Sequence, residues 1–354
     1  MMKKPVNKRK IIFSIIIAIF VVAISALMFY KTQLTAIPRS KTIIFEVKAS
    51  ETGHQVIHRL HEDKLIKNEM VAKLYMKFNQ LEHIKAGKFK IEKDWGTDQI
   101  LETLNDVSKG NAGDISVTIT EGMWAKDIAL ILEKQLGIKA KDLIALWNND
   151  KYLKTLIKKY DFLSDDILNS AYKVKLEGYL FPETYSFPDH ASLEHITEIF
   201  LDQFANKIKP LESEIKKSKF SIHELITFAS VVQYESSNID DMKMIAGVFN
   251  NRLDRHMTLD SSVTVCYALY DKLESHVDCE VKTNIDSPYN TYRVQGLPVG
   301  PILNPGIEAI EAVLSPTKSD YLYFVADIYG DGKVYYSKTL KEHEKKIDQF
   351  KLRY

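Results

Sequence analysis

The sequence predicts an α+β protein with one apolar N-terminal helix, a small α+β unit and a larger mixed α+β unit. Three observations support this fold class. Residues 11–30 form a long uncharged run, residues 41–113 alternate strand patterns with amphipathic helix patterns, and residues 114–354 continue that alternation at greater length. The 354 residues are 45% hydrophobic, which suffices for two or three domains with buried cores.

The N-terminus combines a basic tail with an apolar stretch. A helix of about 20 apolar residues spans the hydrocarbon core of a bilayer, and flanking basic residues stay in the cytoplasm. We therefore expect a cytoplasmic tail at residues 1–10, a transmembrane helix at 11–30 and a linker at 31–40. Everything beyond should lie on the periplasmic or extracytoplasmic side of the cell's inner membrane. The alternative, a cleaved signal peptide, has a shorter apolar core of about 7–15 residues.

Residues 41–113 form the small unit. Its predicted elements are a strand at 42–48, helices at 53–66 and 68–78, a strand at 87–91 and a helix at 96–104. Residues 109–113, rich in Gly and Asn, are expected to close it.

Residues 114–354 form the larger unit. Its predicted elements are a strand at 115–120, helices at 127–135, 140–148, 151–160, 193–208 and 221–235, strands at 321–327 and 333–336 around a turn at 330–332, and a terminal helix carrying His343. Residues 176–188 are aromatic and bounded by Pro, which does not suit a helix. Residues 257–306, with many Tyr, Pro and Asn, are predicted to be mostly irregular.

Composition and short motifs exclude several function classes. A net charge of +1 argues against a nucleic-acid partner, because binding to phosphates requires a basic surface. The chain has no H-E-x-x-H motif and no Cys/His cluster, so neither a metal site nor a cofactor is expected. Cys266 and Cys279 can form a disulfide outside the cytoplasm, or they can be two unpaired apolar residues.

The predicted helix at residues 221–235 carries a candidate acid. Ser221 and Glu224 have the spacing of a capping box, which fixes the helix start. Helical periodicity places Glu235 on the same face as Phe228 and Val232, at the C-terminal end. Apolar neighbours and the negative end of the helix dipole both disfavour a carboxylate. Glu235 is therefore a candidate general acid, although a glutamate that merely ends the helix is the simpler interpretation.

Longer motifs carry a resemblance to a known family. They are Lys85–Phe89, Thr118–Gly122, Leu176–Pro182, Ala229-Ser-Val-Val-Gln-Tyr-Glu-Ser236, Val248–Leu253, Tyr289-Asn-Thr-Tyr292, Gly296–Pro301, Asn304–Gly306 and Tyr321–Ala326. Together they resemble the YceG-like endolytic murein transglycosylases, in order and over nearly the whole chain, anchor included.

The resemblance implies an organisation and an activity. It implies a LysM-like module at residues 41–113 and a catalytic transglycosylase domain at 114–354. The activity is non-hydrolytic cleavage of the MurNAc–GlcNAc β-1,4 bond within nascent peptidoglycan strands, which leaves 1,6-anhydro-MurNAc ends and terminates elongation. The implied partners are the glycan strands, the membrane and peptidoglycan synthases.

The resemblance also assigns site residues. Glu235 falls on the family's catalytic acid/base, and Gln233 stands where the family has a second glutamate. Asp260 and Thr264 belong to a segment where the family has Gln-Ser/Thr-Asp-Pro-Thr, and Lys333 stands where a His is frequent. Gln233, Asp260 and Thr264 are therefore expected to bind substrate.

Tyr289, Asn290 and Tyr292 suit sugar binding through aromatic faces and hydrogen bonds. The alternative is that this loop is ordered by packing on the core.

Two other functions stay open at this point. A hydrolase of the same bond would use a second carboxylate, for which Asp240, Asp241 and Asp260 are candidates. A non-catalytic scaffold would bind peptidoglycan through the small unit and the Tyr-rich loop alone.

Overall fold

The computed structural model describes residues 8–48, 51–106, 109–275, 277–327 and 332–350. The chain divides into two compact units, residues 1–114 and 115–354. Both units mix helices with short antiparallel strand pairs, so the predicted mixture of helices and strands is confirmed.

The first unit begins with helix α1, Lys8–Leu34. Within the part of the chain that the structure describes, its segment Ile16–Leu34 is the one helix long and apolar enough to cross a membrane, with a mean hydropathy of 1.8. Its apolar side chains are exposed, as for Val22 at 67%. The helix extends beyond residue 30, so residues 31–34, predicted as linker, are helical. No helix-breaking residue occurs before Pro38, which explains the extension.

The rest of the first unit has the predicted order of elements. They are strand β1 (Ile43–Val47), helices α2 (Gly53–Glu62) and α3 (Glu69–Phe78), strand β2 (Gly87–Ile91) and helix α4 (Thr97–Asn105). β1 and β2 pair antiparallel with Phe45 opposite Phe89, and both rings lie in a core with Leu60. α2 ends before the predicted residue 66 because the chain turns at Lys64, whose φ is 57°.

Residues 109–112 close the first unit by hydrogen bonding to β2. The Lys88 amide donates to the Gly110 carbonyl at 2.9 Å, and the Ala112 amide donates to the Lys88 carbonyl at 2.6 Å. The Gly- and Asn-rich segment is therefore an ordered edge of this small sheet.

The second unit is larger and mostly helical. Its elements are β3 (Ile115–Ile119), α5 (Ala125–Leu136), α6 (Ala140–Trp147), α7 (Asp150–Lys159), β4 (Glu183–Phe187), α8 (Leu193–Ile208), α9 (Glu212–Lys217), α10 (Ile222–Glu235), α11 (Ile239–Asp254), α12 (Ser262–Leu269), α13 (Val277–Val281), α14 (Ile307–Leu314), β5 (Tyr323–Ala326), β6 (Val334–Ser337) and α15 (Leu340–Phe350). β3 pairs with β4, and β5 pairs with β6, both antiparallel. The predicted hairpin strands are confirmed; Gly330 and Asp331 of its turn lie outside the described residues.

Two segments contain elements that the sequence prediction did not name. Residues 257–306 are mostly irregular, as predicted, but they also contain helices α12 and α13. Residues 263–269 are all buried, so α12 lacks the polar face that makes a helix recognisable by periodicity. The Pro-bounded segment 176–188 contains strand β4, in which Tyr185 and Phe187 are buried.

A buried carboxyl group joins distant parts of the second unit. Glu177 Oε1 accepts hydrogen bonds from the Ala125 amide and from Asn304 Nδ2, both at 2.8 Å. Glu177 Oε2 accepts from the Tyr267 hydroxyl at 3.0 Å. Burial raises the pKa of Glu177 to about 8. This network ties the start of α5 to α12 and to the loop before α14.

Candidate active site

Helix α10 carries Glu235 as its last residue. The predicted capping box is present: the Glu224 amide donates to Ser221 Oγ at 3.2 Å, and the Ser221 amide donates to Glu224 Oε2 at 2.8 Å. Phe228 and Val232 are fully buried, so the apolar face of the helix packs into the core. Glu235 is only partly buried, because the chain leaves the helix at Ser236 with extended backbone angles.

Glu235 lines a cavity of about 480 Å³. The walls come from α10, α11, the start of α12 with the segment before it, α13, the 283–293 loop, β5 and α15. The polar and charged residues that line it include Tyr234, Arg252, Asp260, Ser261, Ser262, Glu280, Tyr292 and His343. A carboxyl group in a cavity of this size can meet a sugar substrate.

The environment of Glu235 favours its protonated form. Burial, with a smaller contribution from the negative charge of Glu280, raises the pKa of its carboxyl to about 7. A hydrogen bond from Ser261 Oγ to Glu235 Oε1, 2.7 Å long, acts in the opposite direction because it stabilises the carboxylate. A carboxyl with a pKa near neutrality can both donate and accept a proton, as a general acid/base must.

Asp260 lies on the same cavity and is held rigidly. Its Oδ2 accepts from Arg252 Nη1 at 3.0 Å, and its amide donates to the Thr291 carbonyl at 3.2 Å. Asp260 has a φ of 50°, a conformation that Asp tolerates better than most residues. The buried Arg252 also donates from Nε to the Leu322 carbonyl at 2.7 Å. The charge of Asp260 is therefore compensated within the protein.

Tyr292 lines the cavity, whereas Tyr289 and Asn290 of the same loop are buried. Burial, reinforced by nearby carboxylates including Glu280, raises the pKa of Tyr292 to about 12, so its hydroxyl is neutral near pH 7. Tyr289 is buried and makes an edge-on contact with Tyr267, with ring centroids 4.8 Å apart. Asn290 is buried and donates from Nδ2 to the Thr283 and Ile285 carbonyls at 2.8 and 2.7 Å. Tyr289 and Asn290 thus order the loop that presents Tyr292.

Thr264 is also fully buried. Its hydroxyl donates to the Ser261 carbonyl at 2.6 Å and lies 2.9 Å from Thr291 Oγ1. The Ser261 amide donates to Thr291 Oγ1 at 3.1 Å. These bonds fix the backbone of Ser261, the hydrogen-bond partner of Glu235.

Gln233 faces a different cavity. It lies with Glu121, Gly306 and Glu308 at a pocket of about 670 Å³, separate in its lining from that of Glu235 except for Tyr234. Gln233 Oε1 accepts from the Gly306 amide at 2.9 Å, at the start of α14. Two residues along a helix are turned by roughly 200°, which explains why Gln233 and Glu235 point to different sides.

With this geometry established, comparisons with known proteins identify the family. The model of the YceG-like family matches residues 45–349, most of the chain. The chain belongs to the YceG-like family.

Relatives of this YceG-like chain have been named. The endolytic murein transglycosylase of Bacillus subtilis strain 168 is 35% identical over 337 residues, which cover 92% of this chain and 90% of the relative. The protein of the same name from Streptococcus pneumoniae serotype 2 is 33% identical over 304 residues, covering 81% of this chain and 54% of that protein. This chain therefore spans about half the length of the pneumococcal relative.

A solved structure agrees with these matches. The crystal structure of a YceG-like protein of Listeria monocytogenes superimposes with a TM-score of 0.61 at 34% identity, covering 87% of this chain and 99% of that one. The family expected from the sequence motifs is thus confirmed, and its named relatives are transglycosylases.

The sequence analysis did not identify several residues that line the cavity of Glu235. Ser261, Arg252 and Glu280 were not among the predicted site residues, although Arg252 lies in a motif that carried the resemblance. The run Asp260-Ser261-Ser262 contained a signal for Ser261, because hydroxyl groups commonly hydrogen bond to carboxylates. No sequence pattern pointed to Glu280. Among the described residues, no group of three or more His, Cys, Asp or Glu could hold a metal ion.

The two cysteines form a disulfide. Cys266 in α12 is bonded to Cys279 in α13, with their Cα atoms 4.8 Å apart. The sequence left open whether the two cysteines are bonded or unpaired, and the structure has them bonded. The bond joins α12, whose first turn follows Ser261, to the short helix that carries Glu280.

Proposed function

We propose that this chain is an endolytic lytic transglycosylase of peptidoglycan with Glu235 as its single acid/base. It cleaves the MurNAc–GlcNAc β-1,4 bond within nascent strands and thereby terminates their elongation. The observation that carries the proposal is the position of Glu235: a carboxyl with a pKa of about 7 that lines a cavity and accepts a hydrogen bond from Ser261. The names of the relatives supply the substrate class.

One residue can perform both proton transfers. Protonated Glu235 gives its proton to the glycosidic oxygen as the bond from C1 of MurNAc to that oxygen breaks, so GlcNAc leaves with a free hydroxyl. The C6 hydroxyl of the same MurNAc then attacks C1 and forms the 1,6-anhydro bond. Glu235, now a carboxylate, takes the proton from that hydroxyl and returns to its starting state. No water is consumed.

The cavity favours this chemistry over hydrolysis by the carboxylates considered from sequence. A hydrolase needs a second carboxylate to activate water or to attack the sugar. Asp260 is paired with Arg252, and Asp241 Oδ1 accepts from the Tyr336 hydroxyl at 2.8 Å. Neither Asp240 nor Asp241 lines the cavity of Glu235.

The test is digestion of purified sacculi by the full-length protein and by Glu235→Gln. Gln keeps the size of the side chain but transfers no proton, so release of anhydro-muropeptides should fall by about 10²–10⁴. Glu311→Gln is the matched control, since this exposed glutamate of α14 lies outside both cavities. A well-folded Glu235→Gln protein with near-normal release would refute the assignment. Reducing ends from the wild type would indicate a hydrolase, and no release at all a binding scaffold.

We further propose that α1 anchors the chain in the membrane, with its N-terminus in the cytoplasm and the second unit outside. The basic residues before residue 11 support this orientation. The Cys266–Cys279 disulfide supports it independently, because disulfides persist in oxidising compartments. A reporter that is active only in the cytoplasm, fused after Tyr354, should be silent. A strong signal would contradict the orientation.

The first unit is proposed to be the LysM-like module that holds glycan strands. Its compact core supports independent folding of residues 41–113. This fragment should sediment with sacculi and show a cooperative melting curve. A folded fragment that stays in the supernatant would contradict a wall-binding role.

A further inference from the structure

Glu280 places a further carboxylate, besides Asp260, at the cavity of Glu235. Its side chain is exposed and lines that cavity. Within the described ranges of the chain, the side chain of Glu280 has no hydrogen bond or ion pair. Asp260, in contrast, is paired with Arg252. Its charge therefore acts on the cavity without a local counter-charge.

The disulfide attaches the helix that carries Glu280 to α12. α13 has 5 residues, and Cys279 is the buried one among them. Val277 and Val281 are 63% and 66% exposed, so apolar packing contributes little to holding this helix. The Cys279–Cys266 bond instead ties it to α12, which is buried along its length.

The remaining charges around Glu235 are compensated or absent near pH 7. The titratable and charged groups that line the cavity together with Glu235 are Tyr234, Arg252, Asp260, Glu280, Tyr292, Tyr323 and His343.

Burial raises the pKa of Tyr234 and of Tyr292, so both phenols are neutral. Burial also lowers the pKa of His343, which favours its neutral form. Arg252 and Asp260 form an ion pair. The charge without a partner at this cavity is thus the negative charge of Glu280.

We propose that Glu280 is a positioning residue for Glu235, held at the cavity by the Cys266–Cys279 disulfide so that its negative charge keeps the Glu235 carboxyl protonated. This inference rests on the proposed function, in which protonated Glu235 starts the reaction. A negative charge nearby opposes the ionisation of a second carboxyl, and the effect extends over several ångströms in water.

The test is the pH profile of anhydro-muropeptide release by the full-length protein. Activity should decline at alkaline pH as Glu235 ionises. In Glu280→Gln this decline should move to lower pH by about half a unit, the size expected for one charge acting through solvent. Glu280→Asp, which keeps the charge, should restore most of the wild-type profile. A salt concentration of about 1 M should reduce the difference between wild type and Glu280→Gln, since it screens exposed charges.

Glu274→Gln is the matched control for charge. Glu274 is exposed on the segment before α13 but does not line the cavity. This variant should therefore leave the alkaline limb of the pH profile, the decline of activity at high pH, in place. A purely structural role of Glu280 would lower release at every pH without moving the limb, and that result would overturn the proposal.

The contribution of the disulfide is tested by the Cys266→Ser/Cys279→Ser double variant. In this variant the decline of activity at alkaline pH should move to lower pH, as in Glu280→Gln. Adding Glu280→Gln to it should cause no further shift. A full additional shift would mean that Glu280 acts without the disulfide and would overturn the proposal. These results are distinct from a failure of the proposed function, which would appear as activity in Glu235→Gln.

Discussion

Ser261→Ala isolates the one hydrogen bond that the Glu235 carboxyl receives from the described residues. The bond is 2.7 Å long and runs from Ser261 Oγ to Glu235 Oε1. The backbone of Ser261 is held separately by Thr291 and Thr264, so the substitution should remove the hydroxyl without moving the chain. The variant therefore measures what this bond does to the ionisation of Glu235.

The size of the effect follows from the two protonation states. A hydrogen bond to a carboxylate is worth about 1.5–3 kcal/mol and one to a neutral acid about 0.5–1.5 kcal/mol. Their difference, about 1–1.5 kcal/mol, corresponds to about one pH unit. Losing the bond disfavours the carboxylate, so the alkaline limb of activity should move upward by about that amount. The maximal rate should fall by up to about tenfold, because the carboxyl is less well oriented.

The assay is again release of anhydro-muropeptides across pH, with a melting curve for each variant. Ser262→Ala is the matched control, since Ser262 lines the same cavity but is not bonded to Glu235. A folded Ser261→Ala protein whose alkaline limb stays in place or moves to lower pH would refute the electrostatic role assigned to this bond.

Two further predictions concern stability, and both are measured by urea unfolding. The pKa of Glu177 is about 8 in the folded protein against an ordinary value of 4.5, so unfolding between these pH values releases a proton. The free energy of unfolding therefore falls as pH rises, by up to about 1.4 kcal/mol per pH unit. Glu177→Gln should flatten that slope relative to wild type, and an unchanged slope would contradict the raised pKa of Glu177. Glu177→Ala should destabilise the fold at every pH, because it leaves buried donors unpaired. Gly247→Ala should lower the free energy of unfolding by about 1–3 kcal/mol, because the new Cβ would lie 2.2 Å from the backbone oxygen of Thr317. An unchanged free energy of unfolding would mean that the backbone at Thr317 moves away at little cost.

Local patterns predicted much of the fold. Short-range patterns suffice to predict the strands β1 and β2, the β5–β6 hairpin, the helices α3, α8 and α10, and the capping box at Ser221. α12 could not be recognised because residues 263–269 are all buried, so the helix has no polar face for periodicity to reveal. β4 could not be recognised because its partner β3 is far away in sequence, and flanking prolines obscured the alternation of Tyr185 and Phe187.

The candidate site was predictable only in part. Periodicity and the family motifs pointed to Glu235, but its neighbours Ser261, Glu280 and Tyr292 come from separate elements that only the tertiary fold brings together. Asn290 and Thr264 illustrate a second limit. Amide and hydroxyl side chains serve equally well for binding a sugar and for satisfying buried backbone groups, and in this fold they do the latter.

Gln233 shows why one departure from the family pattern need not alter the chemistry. Its Oε1 accepts a hydrogen bond from the Gly306 amide at the N-terminus of α14, and a glutamate there would accept the same bond with a charge favoured by the helix dipole. Because Gln233 lines a different pocket from that of Glu235, a carboxylate at 233 would lie outside the Glu235 cavity. Exchanging Glu for Gln at this position therefore changes how α14 is held, while the single-carboxylate reaction proposed for Glu235 remains available.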